Sequence, residues 1–172
     1  IQNVYRFYFV LFAALAVLLC IWLRKAEIEV LFLVLSLTSG ILLSVILPPT
    51  TLVSWDDETH YKWALEWTSV GDVAITQADV DIYQRTYSKD EMMNAATRND
   101  AVAKMDADYK AGSVTTFTEK SRNLYQEVCY IPTIVGLQLG RILDIPYHII
   151  FVLGRMANAI FYSIVVYFSI KI

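Results

Sequence analysis

Residues 30–61, VLFLVLSLTSGILLSVILPPTTLVSWDDETHY, decide how this chain is built. From Val30 to Leu47 there is no charge, and after the two prolines Asp56, Asp57, Glu58 and His60 follow almost together. An uncharged run of this size matches the roughly 20 residues that a helix needs to cross about 30 Å of hydrocarbon. The acidic cluster therefore stands where a membrane span surfaces, well placed to act on something at the bilayer face.

Two further blocks flank this stretch. Tyr5 to Leu23 carries one charge, Arg6, and Tyr147 to Ile170 carries only Arg155. The chain is 56% apolar and 18% charged, with its apolar residues gathered into blocks, which is a membrane composition. All three blocks read as transmembrane helices. A cleaved signal peptide is the alternative for the first, but its core is too long and no small-residue cleavage site follows Trp22, Leu23, Arg24 and Lys25. The sequence opens on Ile and closes in or at the edge of an apolar helix, so it reads as a fragment of a larger multi-spanning protein.

Basic residues set the expected orientation, because short loops rich in Lys and Arg stay on the cytoplasmic side. Arg24 and Lys25 place the turn at residues 24–28 inside. The segment from Pro48 to Ile145, with 15 acidic and 9 basic residues, is then extracytoplasmic. Lys171 agrees with a return to the cytoplasm, whereas Arg6 near an outward amino terminus dissents. The expected localisation is the cell membrane, multi-pass, with the large loop outside.

Inside that loop the local signals are helical. Ser54 before Asp56 and Asp57 resembles an N-cap with an acidic first turn, opening a helix that runs to Trp67 with Glu58 and Lys62 as an i,i+4 pair. Trp55, Tyr61, Trp63 and Trp67 suit a position at the membrane surface. Thr76 with Asp79 and Ser88 with Glu91 are capping signals. The second opens a helix closed by Gly112, with Met92, Ala96, Val102, Met105 and Tyr109 as its apolar stripe. Residues 123–145 are apolar but broken by Pro132, Gly136, Gln138, Gly140 and Arg141. They read as an amphipathic helix lying in the interface or dipping partly in, with Pro132 in its first turn. Were this helix to cross fully, the last block would run outward and Lys171 would be external. The expected organisation is two transmembrane helices in 1–47, an external helical loop in 48–122, an interfacial helix in 123–145 and a transmembrane helix in 146–172.

Several function classes are disfavoured. Cys20 and Cys129 are too few and too differently placed for a disulfide framework or a metal site, and read as small apolar residues. There is no Gly-rich phosphate loop, and no basic stripe suited to nucleic acid.

Two places invite chemistry. A carboxylate at Asp57 within reach of a hydroxyl can take its proton, and carboxylates also bind divalent cations such as Mg or Mn. Asp56 and His60, four apart on a helix, face the same way and with Asp57 form a candidate metal set. The plainer reading is that acidic residues in a first turn simply complement the helix dipole. Arg155 lies deep in its apolar block and must face protein, water or a ligand. It either holds a phosphate or pairs with an acidic loop residue, or it caps carbonyls or a carboxylate; Asn158, three residues on, completes either arrangement. For Arg141 and His148, headgroup contact or snorkelling is sufficient.

WDDETHY after the span, YQEVCYIPTIVGLQLGRIL before the last one and VLGRMANAIFYSIVVYFSIK within it resemble the opening third of a family of uncharacterised bacterial multi-spanning membrane proteins. That family is itself similar to GT-C glycosyltransferases; residues 71–121 match nothing in it. The resemblance implies an all-α integral membrane fold, with a GT-C-like N-terminal part of three transmembrane helices, an external helical loop and an interfacial helix. It also implies a sugar moved from a polyprenyl-phosphate-linked donor to a cell-surface glycan or protein acceptor. Asp57 would be the general base, Glu58 would position acceptor or metal, and Arg155, Asn158 and His60 would bind substrate. The competing expectation is a non-catalytic membrane protein that scaffolds or exports cell-surface polymer.

Overall fold

The computed structural model describes residues 2–51, 57–67, 73–117 and 124–171. Its order is α1 (Gln2–Trp22), α2 (Ile28–Ile46), α3 (Asp57–Glu66), β1 (Val73–Thr76), α4 (Gln77–Tyr83), α5 (Lys89–Met93), α6 (Ala95–Lys110), β2 (Ser113–Phe117), α7 (Leu124–Ile142) and α8 (Tyr147–Lys171). The helical class expected from the sequence holds. The contacts divide it into two units, residues 1–46 with 159–172 and residues 47–158.

In the first unit the apolar blocks fold as uninterrupted helices. Among the described residues, α2 and α8 are long and apolar enough to cross a membrane, whereas the described apolar part of α1, Phe9–Trp22, is shorter than a span. Small residues join α2 to α8: a Cβ built on Gly40 would lie 2.6 Å from that of Ala159. One turn further along each helix sit buried Ser44 and Ser163. Each returns its hydroxyl to its own helix, to the carbonyls of Gly40 at 2.7 Å and Ala159 at 2.8 Å. Small pairs spaced by four let apolar helices approach closely where lipid offers no competing hydrophobic drive.

The second unit is a helical cap. Thr76 and Ser88 each form a complete capping box, with Asp79 and Glu91 respectively, so α4 and α5 begin where the sequence signals them. The single helix expected from Ser88 to Gly112 is divided, because the Asn94 side chain accepts from the Ala96 N–H and caps a new helix, α6. Gly112 closes α6 with φ +89°, a conformation that favours glycine. Met92 and Met105 are fully buried and Val102 and Tyr109 pack on them, but Ala96 is exposed; Ala101 takes the place in the core expected for it.

A two-stranded antiparallel ribbon, Val73 opposite Phe117 through Thr76 opposite Ser113, closes the α4–α6 excursion at its base. Its β-branched residues suit strands, but no local turn joins them, so no hairpin signal announces the pairing.

Helix α7 begins at Leu124, and Pro132 lies inside it and not in its first turn as expected. Proline removes the N–H that would bond the carbonyl one turn back, yet here it is buried with the helix packed on its neighbours. Glycines seat α7 antiparallel against the first half of α8. A Cβ on Gly140 would meet Ile150, and one on Gly136 would lie 2.5 Å from the Leu153 carbonyl oxygen and 2.9 Å from the Ala157 Cβ. Gly136→Ala is therefore expected to destabilise the protein by about 1–3 kcal/mol. A thermal melt in detergent checks this, and an unchanged midpoint would show that the seam yields easily.

Glu66 ends α3 at 4% exposure. Its Oε2 is buried without a hydrogen-bond partner, and Lys62 stands 4.0 Å from Oε1. Burial pushes the carboxyl above its ordinary value of 4.5, and the Lys62 charge only partly opposes this. The folded form thus holds the proton more tightly than the unfolded chain, and stability is lost as pH rises from the unfolded value through the folded one. Glu66→Gln should gain about 1 kcal/mol at neutral pH and nothing below the ordinary value. Urea unfolding at both pH values measures the difference, and a gain independent of pH would remove ionisation as the cause.

Candidate functional site

Three helices of the cap each turn one face toward a cavity of about 390 Å³. Helix α3 supplies Asp57, His60 and Tyr61; α7 supplies Tyr130, Thr133 and Leu137; α8 supplies Phe151, Arg155 and Asn158. In α7 and α8 successive lining residues are three or four apart, and in α3 His60 and Tyr61 follow Asp57 by three and four, so the lining follows from helical periodicity. Cys129 and Thr51 complete the wall.

The site residues expected from the sequence divide as follows. Asp57, His60, Arg155 and Asn158 come together in this cavity. Glu58 does not line it: on the neighbouring helical position it hydrogen-bonds Arg85. Burial pulls the Glu58 carboxyl up, but its own backbone N–H and the Arg85 guanidinium outweigh this and hold it below its ordinary value. The expected pair of Glu58 with Lys62 is replaced by Glu58 with Arg85 and Lys62 with Glu66. Asp56 and the expected N-cap Ser54 lie outside the described residues. Among the described residues no three His, Cys, Asp or Glu side chains group to hold a metal ion. Asp57 and His60 alone supply two donors.

Arg155 shows how a charge is kept in an apolar helix. Its Nη1 donates to the Pro48 carbonyl at 2.8 Å and its Nη2 to the Thr50 carbonyl at 2.7 Å. The guanidinium lies 4.5 Å above the Phe151 ring, and the Asp57 charge acts on it. Phe151 is 5% exposed, packs against Tyr61 of α3 with ring centroids 5.2 Å apart and belongs to the cavity wall. The carbonyls fix the plane of the guanidinium, which retains further N–H donors. Thr50 and Thr51 are themselves pinned, their hydroxyls donating to the carbonyls of Tyr87 and Ile82 at 2.8 Å.

His60 Nδ1 is hydrogen-bonded to the Tyr130 hydroxyl at 2.5 Å, and the His60 ring meets Trp63 edge-on at 5.7 Å. The tyrosine thus sets the imidazole plane from across α3 and α7.

Behind the cavity lies a charged centre that sequence reasoning missed. Asp79 is fully buried, and its Oδ1 accepts from Arg141 Nη2 at 2.7 Å, Tyr147 at 2.6 Å and Tyr61 at 3.1 Å. Its Oδ2 accepts from the Thr76 N–H and hydroxyl, each at 2.9 Å. Burial, then the Asp79 charge, pushes the Tyr61 hydroxyl well above its ordinary value, so it stays a neutral donor. Arg141 is accordingly no snorkelling residue, its side chain being only 17% exposed. His148 is likewise engaged, with the Asp106 carboxylate at 3.0 Å. The capping box at Thr76 was the one signal that touched this centre. Nothing local announces its partners on three other helices.

These features define a membrane protein whose apolar helices carry a helical cap enclosing a charged and aromatic cavity. The chain belongs to the family described as predicted membrane protein (DUF2142), whose model matches residues 37–172 and so takes in α3 to α8 and every cavity residue. No curated protein and no solved structure matches the chain.

Proposed function

We propose that the protein is a GT-C-like membrane glycosyltransferase, moving a sugar from a polyprenyl-phosphate-linked donor to a cell-surface glycan or protein. On this reading α1, α2 and α8 are three spans of a multi-pass protein, and the cap is extracytoplasmic. The observation that carries the reading is the meeting of Asp57, His60, Arg155 and Asn158 in one cavity. A carboxylate facing a guanidinium across such a space suits a hydroxyl nucleophile and an anionic leaving group. Asp57 takes the acceptor proton. Arg155, its plane held by two carbonyls, offers its remaining N–H groups to the departing phosphate, and Asn158 adds a neutral contact on the same face. His60, oriented by Tyr130, binds the sugar or acceptor. Glu58 serves the Asp57 turn through Arg85, and Mg or Mn is a cofactor only if Asp56 joins Asp57 and His60.

The second reading, a non-catalytic scaffold or exporter of surface polymer, is favoured by one observation: the donors of Arg155 seen here go to backbone carbonyls, a structural use. Membrane vesicles with and without the protein, supplied with radiolabelled polyprenyl-phosphate sugars, separate the two. Protein-dependent transfer of label to a polymer supports the enzyme. Identical label in both preparations, across the donors offered, supports the scaffold.

A further inference from the structure

Three rings cluster at one end of the cavity. His60 of α3 lies with its ring centroid 5.7 Å from that of Trp63 and 5.7 Å from that of Tyr130 on α7, and Trp63 and Tyr130 are 5.9 Å apart. Asp57 and His60, three apart, share a side of α3, and Trp63, three further on, flanks it. This end is the open one. His60 and Cys129 are exposed and Trp63 and Tyr130 half-buried, whereas Tyr61, Leu137 and Phe151 of the same wall are 6, 1 and 5% exposed. A ligand entering from this end meets the rings first.

What the rings suit follows from what surrounds them. Aromatic side chains present flat, rigid apolar area, and a pocket fixes its ligand's orientation with a few placed polar groups. A pyranose meets both conditions, since it has an apolar C–H face and hydroxyls around its rim. Partners for those hydroxyls stand beside the rings, in the Asp57 carboxylate, the His60 imidazole and the Tyr130 phenol. His60 Nδ1 and the Tyr130 hydroxyl bond each other, so the imidazole keeps Nε2 for a ligand. A peptide is the poorer match. The cavity walls are chiefly helices, whose main-chain groups are spent within them, so an extended chain finds no strand edge to pair with. The carbonyls of Pro48 and Thr50 are already taken by Arg155.

We propose that this end of the cavity is a carbohydrate subsite, in which a pyranose rests its C–H face on Trp63 and Tyr130 and hydrogen-bonds Asp57 and His60 through its hydroxyls. A hydroxyl held there lies at the carboxylate and not at the guanidinium, so the sugar is the acceptor and the acceptor is a glycan. Trp63 supplies the largest ring and sets which sugars fit. The subsite deepens the transferase reading and rests on it only in calling the sugar an acceptor; the contact itself needs no turnover.

The protein in phosphatidylcholine nanodiscs, which carry no sugar, is offered the methyl glycosides of glucose, galactose, mannose and N-acetylglucosamine, with empty nanodiscs as the blank. Saturation-transfer NMR should show signal on the ring protons of at least one, reduced severalfold in Trp63→Ala. No signal on any of the four, or equal signal in Trp63→Ala, overturns the subsite. Signal confined to the hexose 1-phosphates would assign the sugar to the donor, and signal confined to an acetylated Ser-Thr peptide would make the acceptor a protein; both refute the proposal. Should Trp63→Ala fail to fold, the unaltered protein is alkylated with N-ethylmaleimide, since Cys129 at this end and Cys20 on α1 are both exposed. The glycosides should slow modification of Cys129 severalfold and leave Cys20 unchanged, and unaltered rates at both would refute the subsite. No donor is present in these experiments. Glycoside binding in a protein that transfers nothing removes only the transferase reading, and transfer without glycoside binding removes only the subsite.

Discussion

Asp79→Ala should be the most damaging single change in the cap, lowering its stability by about 3–5 kcal/mol or preventing its folding. The carboxylate is fully buried and joins four elements through Thr76, Tyr61, Arg141 and Tyr147. Removing it strands a guanidinium that is mostly buried and already has its Nε without a partner. It also leaves two buried hydroxyls with only each other, and undoes the capping box of α4. Unpaired buried charge costs more than a well-paired one ever contributes. Thermal unfolding in detergent, compared with Asp90→Ala on the exposed start of α5, measures the effect. Equal losses for the two variants would show that the buried centre carries no special weight. The double variant Asp79→Ala with Arg141→Met should recover part of the loss by removing the stranded charge, a pattern that general disruption does not produce.

On the proposed transferase reading, in which Asp57 is the general base, Asp57→Asn should lower transfer by about 10²–10⁴-fold while leaving the melting temperature within a degree or so. The amide keeps the shape of the carboxylate and its place in the first turn of α3 but cannot take a proton. Asp57 lines the cavity and its charge acts on Arg155, so the variant also removes the carboxylate facing that guanidinium. The comparison that decides its role is Glu58→Gln. Glu58 is paired with Arg85 away from the cavity, and its loss should be felt in stability first and in turnover only slightly. Were Glu58→Gln the more damaging to turnover, the roles of the two carboxylates would be exchanged. Full activity in Asp57→Asn would leave the scaffold reading as the better one.

What the sequence discloses here is local. Apolar length announces α2 and α8, and a hydroxyl followed three residues later by an acid announces α4 and α5 at Thr76 and Ser88. Gly112 announces the end of α6. The motif at Asp57 to His60 likewise points to the cavity, because one helical turn carries both residues. Features that depend on distant partners were hidden. Asn94 divides a helix that stripe periodicity alone runs together, and the ribbon pairs segments with a helical excursion between them. Pro132 is buried inside α7, a position that the proline rule for exposed helices does not foresee. Asp79 and Arg141 look like ordinary surface charges in sequence, and only the fold makes them a buried pair.

The clasp of Arg155 on Pro48 and Thr50 also sets an order of events as the chain is made. Its two hydrogen bonds join residues 107 and 105 apart in sequence, His60 meets Tyr130 across 70, and Arg141 meets Asp79 across 62. A chain emerging from the ribosome amino end first can form α4 to α6 early through their own caps, whereas such distant closures wait for the later residues. The acidic turn at Asp57 therefore stays open until α7 and α8 have been synthesised. A polypeptide released before residue 155 carries Asp57 but lacks the α8 wall of the cavity, so premature termination leaves that cavity unbuilt.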